Sequence, residues 1–249
     1  WPQAETRKSA AVPTGIDHGT VTVIADGKPH EVTTFRRDVE TDGRRAVVAF
    51  STDIAEDAQR RDFTMNALYA DRRGTVIDPL NGLPDLQARR VRFVGDPETR
   101  IREDYLRILR FFRFHAAYGD PDGGIDPEGL AACAAFSAGI ETISRERIYA
   151  ELKKLLSARD PAPAVAAMSQ AGVLACVLPG ADPRALAPLV HLDAAEPPRW
   201  LRRLAVLGGD TTDLRLSRAE ARDLAALRDA VGSTDTPAAL GWRLGKVLG

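Results

Sequence analysis

The pattern of apolar residues changes once along this chain, near Pro97, and that change most constrains the fold. Before it, short runs rich in β-branched residues alternate with turn signals, as in Thr20–Ala25 and the Asp26–Gly27 dipeptide that follows. After it, leucines and small residues recur at helical spacing between segments rich in glycine and proline. We therefore predict an α+β fold, in which a small β-rich head precedes an all-α region.

Local patterns place the individual elements. Strands are predicted at Gly19–Ala25, His30–Phe35, Ala46–Phe50, Thr75–Ile77 and Val91–Val94, with a flexible loop at Glu40–Arg45. Helices are predicted from Ile54 through Arg60 to Ala70, with room for one break, and over Arg102–Phe114. We expect three domains: an incomplete head over residues 1–95, a helical neck over 96–160, and a helical body over 161–249 that is incomplete at its C-terminus.

Composition excludes several classes of protein. The chain has 249 residues with 34 Lys+Arg against 35 Asp+Glu, and a net charge of −1 argues against nucleic-acid binding by bulk electrostatics alone. The two cysteines, Cys133 and Cys176, rule out a disulfide framework and a Cys-rich zinc site. No apolar run approaches the roughly 18 residues that a membrane helix needs. We expect a cytoplasmic protein with no membrane partner.

The segment Asp57–Leu68 is the densest in polar side chains and carries Arg60, Arg61, Asp62 and Asn66. On a helix, the adjacent arginines point to different faces, while Asp62 and Asn66, four residues apart, share one face. That face offers a carboxylate and an amide, which suit ribose hydroxyls. The alternative is an ordinary surface helix with pairs of charges four residues apart, and the segment taken alone favours that interpretation.

In the second polar segment, Asp104, Arg107, Arg110 and Arg113 recur every three residues. The predicted buried stripe of the same helix consists of Tyr105, Ile108, Leu109 and Phe112. A carboxylate that accepts from an exocyclic amine and a guanidinium that donates to the adjacent ring nitrogen match the pairing edges of cytosine and adenine. Uracil and guanine present a carbonyl and an N–H there, so Asp104 with Arg107 would reject them. Arg110 and Arg113 would face the triphosphate; a solvated helix face is the alternative.

Glu31 is a candidate metal ligand, because it places a carboxylate on a strand of the predicted head sheet. One carboxylate does not make a Mg²⁺ site. In isolation, a surface glutamate beside a basic neighbour is the simpler interpretation.

Several segments occur in a specific order: Thr14–Val21, Glu31–Arg36, Arg60–Leu68, Asp78–Pro79 with Gly82 and Asp85, and Glu103–Arg107. An Arg-Arg-Asp-x-x-x-Asn sequence is followed about 40 residues later by Glu-Asp-x-x-Arg. Over residues 12 to about 155 this order resembles the class II tRNA nucleotidyltransferases, the CCA-adding enzymes, with bacterial poly(A) polymerase as close kin. Either motif alone would be a weak signal, whereas the pair in this order is strong.

The resemblance implies a nucleotidyltransferase-type β head and a template-free reaction. In that reaction the 3′-hydroxyl of a tRNA attacks the α-phosphate of CTP or ATP, pyrophosphate leaves, and two Mg²⁺ ions assist. The resemblance assigns nucleotide binding to Arg60, Arg61, Asp62 and Asn66. It assigns base selection to Asp104 and Arg107, and it places Arg110 and Arg113 in the same nucleotide pocket. It gives Glu31 the role of a catalytic, metal-binding carboxylate. It makes Glu40–Arg45 the mobile element that helps to switch from C to A addition.

The sequence departs from the family pattern in one respect. A Gly-Gly-x-Val-Arg-Asp turn and the Asp-x-Asp pair that holds the metals do not precede the head motifs, and Trp1–Lys8 resembles the segment just beyond them. We therefore expect the chain alone to incorporate little CTP, and turnover comparable with a full-length enzyme would refute this. Two alternatives stay open: a bacterial poly(A) polymerase that uses ATP only, and a non-catalytic fragment that binds nucleotide or RNA.

Overall fold

The computed structural model describes residues 10–15, 19–42, 45–193 and 197–248. The strands are β1 (Ala10–Gly15), β2 (Thr20–Ala25), β3 (Lys28–Thr33), β4 (Phe35–Asp42), β5 (Arg45–Ser51), β6 (Tyr69–Ala70) and β7 (Val76–Ile77). The helices are α1 (Ile54–Gln59), α2 (Leu83–Gln87), α3 (Pro97–Glu103), α4 (Leu106–Tyr118), α5 (Pro127–Ala135), α6 (Arg145–Leu156), α7 (Ala162–Gln170), α8 (Val173–Val177), α9 (Leu186–Leu192), α10 (Trp200–Leu207), α11 (Arg218–Ala230) and α12 (Pro237–Leu248). Short 3₁₀ helices lie at Thr64–Asn66, Ser137–Thr142 and Pro183–Ala185. This order confirms the predicted α+β class, with a β-rich head before the helices.

The predicted hairpin at Asp26–Gly27 is confirmed. It joins β2 to β3 with Val23 opposite His30, and β1 adds to the other edge of β2 to complete an antiparallel sheet. Both turn residues have positive φ, 53° at Asp26 and 74° at Gly27. Two-residue turns with two positive φ angles match the right-handed twist of paired strands, which is why an Asp-Gly dipeptide is a strong hairpin signal.

The loop predicted at Glu40–Arg45 is wrong for the residues that the structure describes. Strand β4 continues to Asp42 and pairs with β5, so that Glu40 faces Val47 and Asp42 faces Arg45. Polar side chains indicated a loop, but backbone pairing with an adjacent strand satisfies the hydrogen-bonding groups whatever the side chains are. Gly43 and Arg44, like Ile16–His18 and Trp1–Lys8 of the family segments, lie outside the described residues.

The helix predicted from Ile54 to Ala70 is also wrong beyond its first turns. Helix α1 ends at Gln59, and Phe63 adopts an extended conformation with φ −125° and ψ 147°. Phe63 forms an antiparallel bridge to Phe93, and the Thr64 N–H donates to the Arg92 carbonyl at 3.0 Å. A contact with residues about thirty positions away therefore overrides the local helical pattern. The predicted strand Val91–Val94 is represented by this bridge at Phe93, whereas the one at Thr75–Ile77 is confirmed in β7.

The predicted helix over Arg102–Phe114 is divided into α3 and α4. Asp104 lies in the break with φ −157° and ψ 104°, and its Oδ1 accepts a hydrogen bond from the Leu106 N–H at 3.1 Å. Aspartate commonly accepts from backbone N–H groups at the start of a helix, which favours a helix start at this position. Asp104 therefore precedes α4 instead of lying on the same helical face as Arg107.

Buried phenylalanines attach the head to the helices. Phe63 packs against Phe114 with 4.8 Å between ring centroids, and Phe93 stacks on Phe111 at 5.3 Å. The buried apolar cluster extends from Phe63 to Leu227, and it includes residues on both sides of positions 95 and 160. The division into three domains at those positions stays a prediction. None of the helices in the described part of the chain combines the length and apolarity that a membrane crossing requires.

Helices α6 and α11 are joined by a hydrogen-bonded carboxylate. Glu220 Oε1 accepts from the Tyr149 hydroxyl at 2.7 Å and from Lys153 Nζ at 2.9 Å. Burial acts to raise the pKa of Glu220, but the hydrogen bonds from Tyr149 and Lys153 outweigh it and lower the pKa to about 2. The ionised carboxylate is therefore the form that the fold stabilises.

We expect Glu220→Gln to reduce the free energy of unfolding by about 1 kcal/mol at pH 7, since a charge-assisted hydrogen bond becomes a neutral one. A carboxyl group with a depressed pKa in the folded state contributes stability above its unfolded pKa of roughly 4.3 and loses it as the pH falls towards 2. In urea unfolding, the free energies of unfolding of the wild-type protein and of Glu220→Gln should converge as the pH falls from 7 to 3. Equal stability of the two at pH 7 would contradict this; Glu146→Gln, at an exposed pair with Arg215, is the control.

Candidate functional site

A cavity of about 280 Å³ lies between the end of α1, the 3₁₀ turn after it and the start of α4. It is lined by Arg60, Arg61, Asp62, Asn66, Asp104, Leu106, Arg107, Arg110 and Arg147. Seven of these nine lining residues are site residues predicted from the sequence. The structure thus brings two distant sequence segments to one cavity, while the role of each side chain there stays a prediction.

The position of the first segment depends on a buried carboxylate. Asp85, which is 2% exposed, accepts from the Thr64 hydroxyl at 2.6 Å and from Arg90 and Arg92 at 2.6 and 2.7 Å. Gly82 makes the close approach possible, since a Cβ at that position would lie 2.1 Å from the Thr64 carbonyl oxygen. The Gly82 and Asp85 positions of the sequence pattern therefore hold the Thr64 turn against the core.

Asp62 is buried at the back of the cavity, with 6% of its surface exposed. Its Oδ1 accepts from Asn66 Nδ2 at 3.0 Å and its Oδ2 accepts from Arg110 Nε at 2.5 Å. Burial acts to raise the pKa of Asp62, but the charge of Arg110 and the hydrogen bonds from Arg110 and Asn66 outweigh it, and the pKa is lowered. The Asp62 carboxylate thus orients two other predicted site residues, Asn66 and Arg110. Asp62 and Asn66 meet through this hydrogen bond and not through the shared helical face that was predicted.

Asp62→Asn should lower the free energy of unfolding by about 2 kcal/mol at pH 7, because a buried hydrogen-bonded ion pair with Arg110 is broken. The pKa of Asp62 is lowered in the folded state, so its contribution is complete above the unfolded pKa of roughly 3.9 and is lost at lower pH. Chemical unfolding at pH 7 and pH 3 measures both effects. The difference should shrink at pH 3, and a constant difference would contradict the account; Asp122→Asn, at an exposed position, is the control.

Asp104, with 35% of its side chain exposed, lies at the opening of the cavity, and Arg107, 14% exposed, lines the cavity at the start of α4. Asp104 Oδ2 accepts from Arg147 Nη2 at 2.7 Å. Arg107 Nη1 donates to Glu103 Oε2 and, at 2.8 Å, to the Arg100 carbonyl. These two hydrogen bonds hold the guanidinium in place through its Nη1 atom. A fixed carboxylate beside a fixed guanidinium offers an acceptor and a donor at one opening, the combination that the pairing edge of cytosine or adenine requires.

The remaining predicted arginines differ in their surroundings. Arg61 Nη2 donates to Asp57 Oδ2 at 3.0 Å, so the predicted pairing of one arginine with Asp57 is present. Arg110 lines the cavity, whereas Arg113 does not: its Nε donates to Glu151, and 15% of its side chain is exposed. The structure therefore places Arg113 behind the cavity, on the α6 side of α4.

Glu31 is exposed on β3, opposite Thr22 of β2, and it is not among the residues that line the cavity. In the described ranges, no three Asp, Glu, His or Cys side chains come together in a way that could hold a metal ion. The described residues therefore do not fit the two-ion site that the resemblance implies, and no step of the chemistry is assigned to a metal. The role of Glu31 stays a prediction.

Two lining residues, Leu106 and Arg147, were not predicted as site residues. Leu106 is 8% exposed and was not part of the predicted buried stripe. Arg147 lies on α6, 43 residues after Asp104, and its contact depends on the packing of α6 against α4. No local spacing could have revealed it, because the periodicity of one helix does not specify which neighbour it meets.

Comparison with known proteins identifies the family of both halves of the chain. Residues 3–92 match the family described as the Poly A polymerase head domain, and residues 124–184 match the probable RNA and SrmB-binding site of polymerase A. Human mitochondrial CCA tRNA nucleotidyltransferase 1 is 50% identical over 142 residues, which are 57% of this chain and 33% of that protein. The CCA-adding enzyme of Streptococcus pyogenes is 47% identical over 149 residues, or 59% of this chain and 36% of that enzyme. The chain thus matches about a third of the length of these relatives.

A solved structure extends the likeness to nearly the whole chain. It is that of the CCA-adding enzyme of Bacillus stearothermophilus, crystallised in complex with CTP. The alignment covers 95% of this chain and 61% of that enzyme's chain, with a TM-score of 0.75 and 30% sequence identity. The motif order, the head-then-helices architecture and these likenesses agree with one another. The chain therefore belongs to the family formed by the class II tRNA nucleotidyltransferases and the poly(A) polymerases.

Proposed function

We propose that this chain serves the template-free addition of CCA to tRNA 3′ ends from CTP and ATP. The observation that carries the proposal is the joining of Asp104 and Arg107 with the Arg60–Asn66 segment in one cavity. Two features of that cavity support it: the hydrogen-bonding pattern at its opening and the charge of its walls. The names of the relatives above, which include CCA tRNA nucleotidyltransferase and CCA-adding enzyme, support the choice of tRNA as the acceptor.

The opening of the cavity suits bases with an amine next to an unprotonated ring nitrogen. In this pose Asp104 accepts a hydrogen bond from the exocyclic amine, and Arg107 donates to the ring nitrogen. Among the contacts of the described residues, the Nε of Arg107 has no acceptor, which leaves a donor for a base. Cytosine and adenine meet both requirements, whereas uracil and guanine would set a carbonyl against the carboxylate.

The walls of the cavity suit a triphosphate, even though the whole chain is close to neutral. Five arginines and two aspartates line it, and two further carboxylates outside the lining, Asp57 and Glu103, pair with Arg61 and Arg107 and leave a positive excess of one. Arginine presents a planar fork of donors that matches phosphate oxygens. In the proposed pose, Arg60, Arg61 and Arg110 approach the phosphates and Asn66 approaches the ribose. Arg113 supports this arrangement from behind α4.

Other parts of the proposal rest on the resemblance. They are the use of two Mg²⁺ ions, which would need carboxylates beyond those that the described residues bring together, the metal-binding and catalytic role of Glu31, and the division into head, neck and body. A cytoplasmic location is also part of the proposal, and one of the relatives named above is mitochondrial.

The function is tested with a tRNA transcript that ends before its CCA, incubated with this chain, Mg²⁺, and CTP or ATP separately and together. Because the residues of this chain do not supply the metal-binding Asp-x-Asp pair, we expect little extension from this chain alone. The extension that does occur should stop after three nucleotides with CTP and ATP together, and after two with CTP alone. Long runs of A from ATP alone would overturn the CCA proposal and favour poly(A) polymerase. Failure to bind CTP or ATP at all would overturn both, and nucleotide binding without extension would favour the non-catalytic alternative.

A further inference from the structure

Arg147 reaches the cavity from outside both motif segments. Its Nη2 donates to Asp104 Oδ2 at 2.7 Å, and the side chains of Arg147 and Asp104 are 50% and 35% exposed. Both residues line the cavity. An ion pair as exposed as this adds little to the stability of a fold. Its position at the opening therefore points to an effect on what the cavity binds.

The contact completes the restraint on the Asp104 carboxylate. Asp104 lies in the break between α3 and α4, where its backbone is extended and not helical, and the terminal torsion of aspartate is intrinsically broad. The Leu106 N–H binds one oxygen at 3.1 Å and Arg147 binds the other, so together they fix the plane of the carboxylate. Each oxygen keeps a further acceptor position, which is left for a ligand in the cavity.

Contacts of Glu151 fix the position of helix α6 along α4. Glu151, four residues after Arg147 and hence on the same face of the helix, is 4% exposed and accepts from Arg113 Nε. Glu151 also lies 4.0 Å from Arg110, which holds Asp62. One face of α6 thus supports both the opening and the back of the cavity.

We propose that Arg147 is a positioning residue that sets the preference for CTP and ATP by holding the Asp104 carboxylate in its base-reading orientation. This inference rests on the proposed function, since it concerns the base selection of the same cavity. It adds a third side chain, from a helix outside the motifs, to the pair that reads the base. It predicts that removing Arg147 impairs discrimination between bases more than it impairs the fold.

The experiment compares the ¹⁵N-labelled full chain with its Arg147→Ala, Arg147→Lys and Arg145→Ala variants. Arg145 is the matched control, because it lies on the same helix and pairs with the exposed Asp213 outside the cavity. The first readout is the Leu106 amide resonance, whose acceptor is the Asp104 carboxylate, and it needs no nucleotide. The second is the affinity for CTP, ATP, UTP and GTP by calorimetry.

We expect the Leu106 resonance to shift in Arg147→Ala and to stay in place in Arg145→Ala. The preference for CTP and ATP over UTP and GTP should fall about tenfold in Arg147→Ala, as expected for one lost charge-assisted hydrogen bond, and Arg147→Lys should restore part of it. An unmoved Leu106 resonance, or a preference that survives in Arg147→Ala, overturns the inference and leaves the proposed function intact. A wild-type chain without any preference contradicts the proposed function, and the inference then falls with it.

Discussion

Replacing Asp104 and Arg107 together by alanine should weaken the binding of CTP and ATP to this chain by about 100-fold. The two side chains each offer one charge-assisted hydrogen bond to the base, and two such bonds correspond to roughly 2.7 kcal/mol. Arg107 is held by Glu103 and by a backbone carbonyl before any ligand arrives, so little ordering cost offsets this gain. Calorimetric titration of the variant with each nucleotide measures the change.

The control for this double variant is Glu98→Ala with Arg102→Ala. These residues form an exposed ion pair on α3 at 3.0 Å, and neither lines the cavity. The control should bind CTP and ATP as the wild-type chain does. Unchanged affinity in the Asp104/Arg107 variant, with its circular dichroism spectrum intact, would remove the base-reading role from this pair.

Arg203→Ala should destabilise the fold by about 3 kcal/mol, the largest effect on stability that we expect from one side chain here. Arg203 is 2% exposed and donates to the carbonyl oxygens of Leu156 at 2.8 Å, Ala158, and Arg159 at 3.1 Å. The last carbonyls of a helix have no partner within it. The guanidinium therefore caps the C-terminal end of α6, and its loss removes this donor from the buried Leu156 carbonyl and from the partly buried bonds to Ala158 and Arg159.

Urea unfolding measures this effect, with Arg222→Ala as the control because Arg222 is 75% exposed beside Asp223. Arg203→Lys should recover only part of the stability, since an ammonium group cannot present a planar fork to three carbonyls. A loss below about 1 kcal/mol in Arg203→Ala would contradict the capping role. The same helix carries Arg147 and Glu151, so the cap also supports the helix that positions Asp104.

Local signals were sufficient wherever one short segment determines the structure. The Asp26–Gly27 turn fixes its own hairpin through the φ angles that it adopts. The turn prediction concerns nearest neighbours, which the order of residues specifies directly. The joint position of Arg60, Asp62, Asp104 and Arg107 was implied instead by the family resemblance, and the four side chains do line one cavity.

Long-range contacts explain the predictions that were wrong. The helix after Ile54 ends because Phe63 pairs with Phe93, and no pattern within the segment contains that information. The polar residues Glu40 and Asp42 belong to a strand because β5 lies beside them. Arg113, whose role stays a prediction, points to Glu151 because α6 packs against α4, and that packing also explains why Arg147 was missed.

The affinity of the unmodified chain for the four nucleoside triphosphates tests the central claim most directly. In the proposed function, the cavity reads the base through Asp104 and Arg107 and binds the phosphates through the surrounding arginines. CTP and ATP should therefore bind at least about tenfold more tightly than UTP and GTP, since the disfavoured bases lose a charge-assisted hydrogen bond. Equal affinity for all four nucleotides would contradict it.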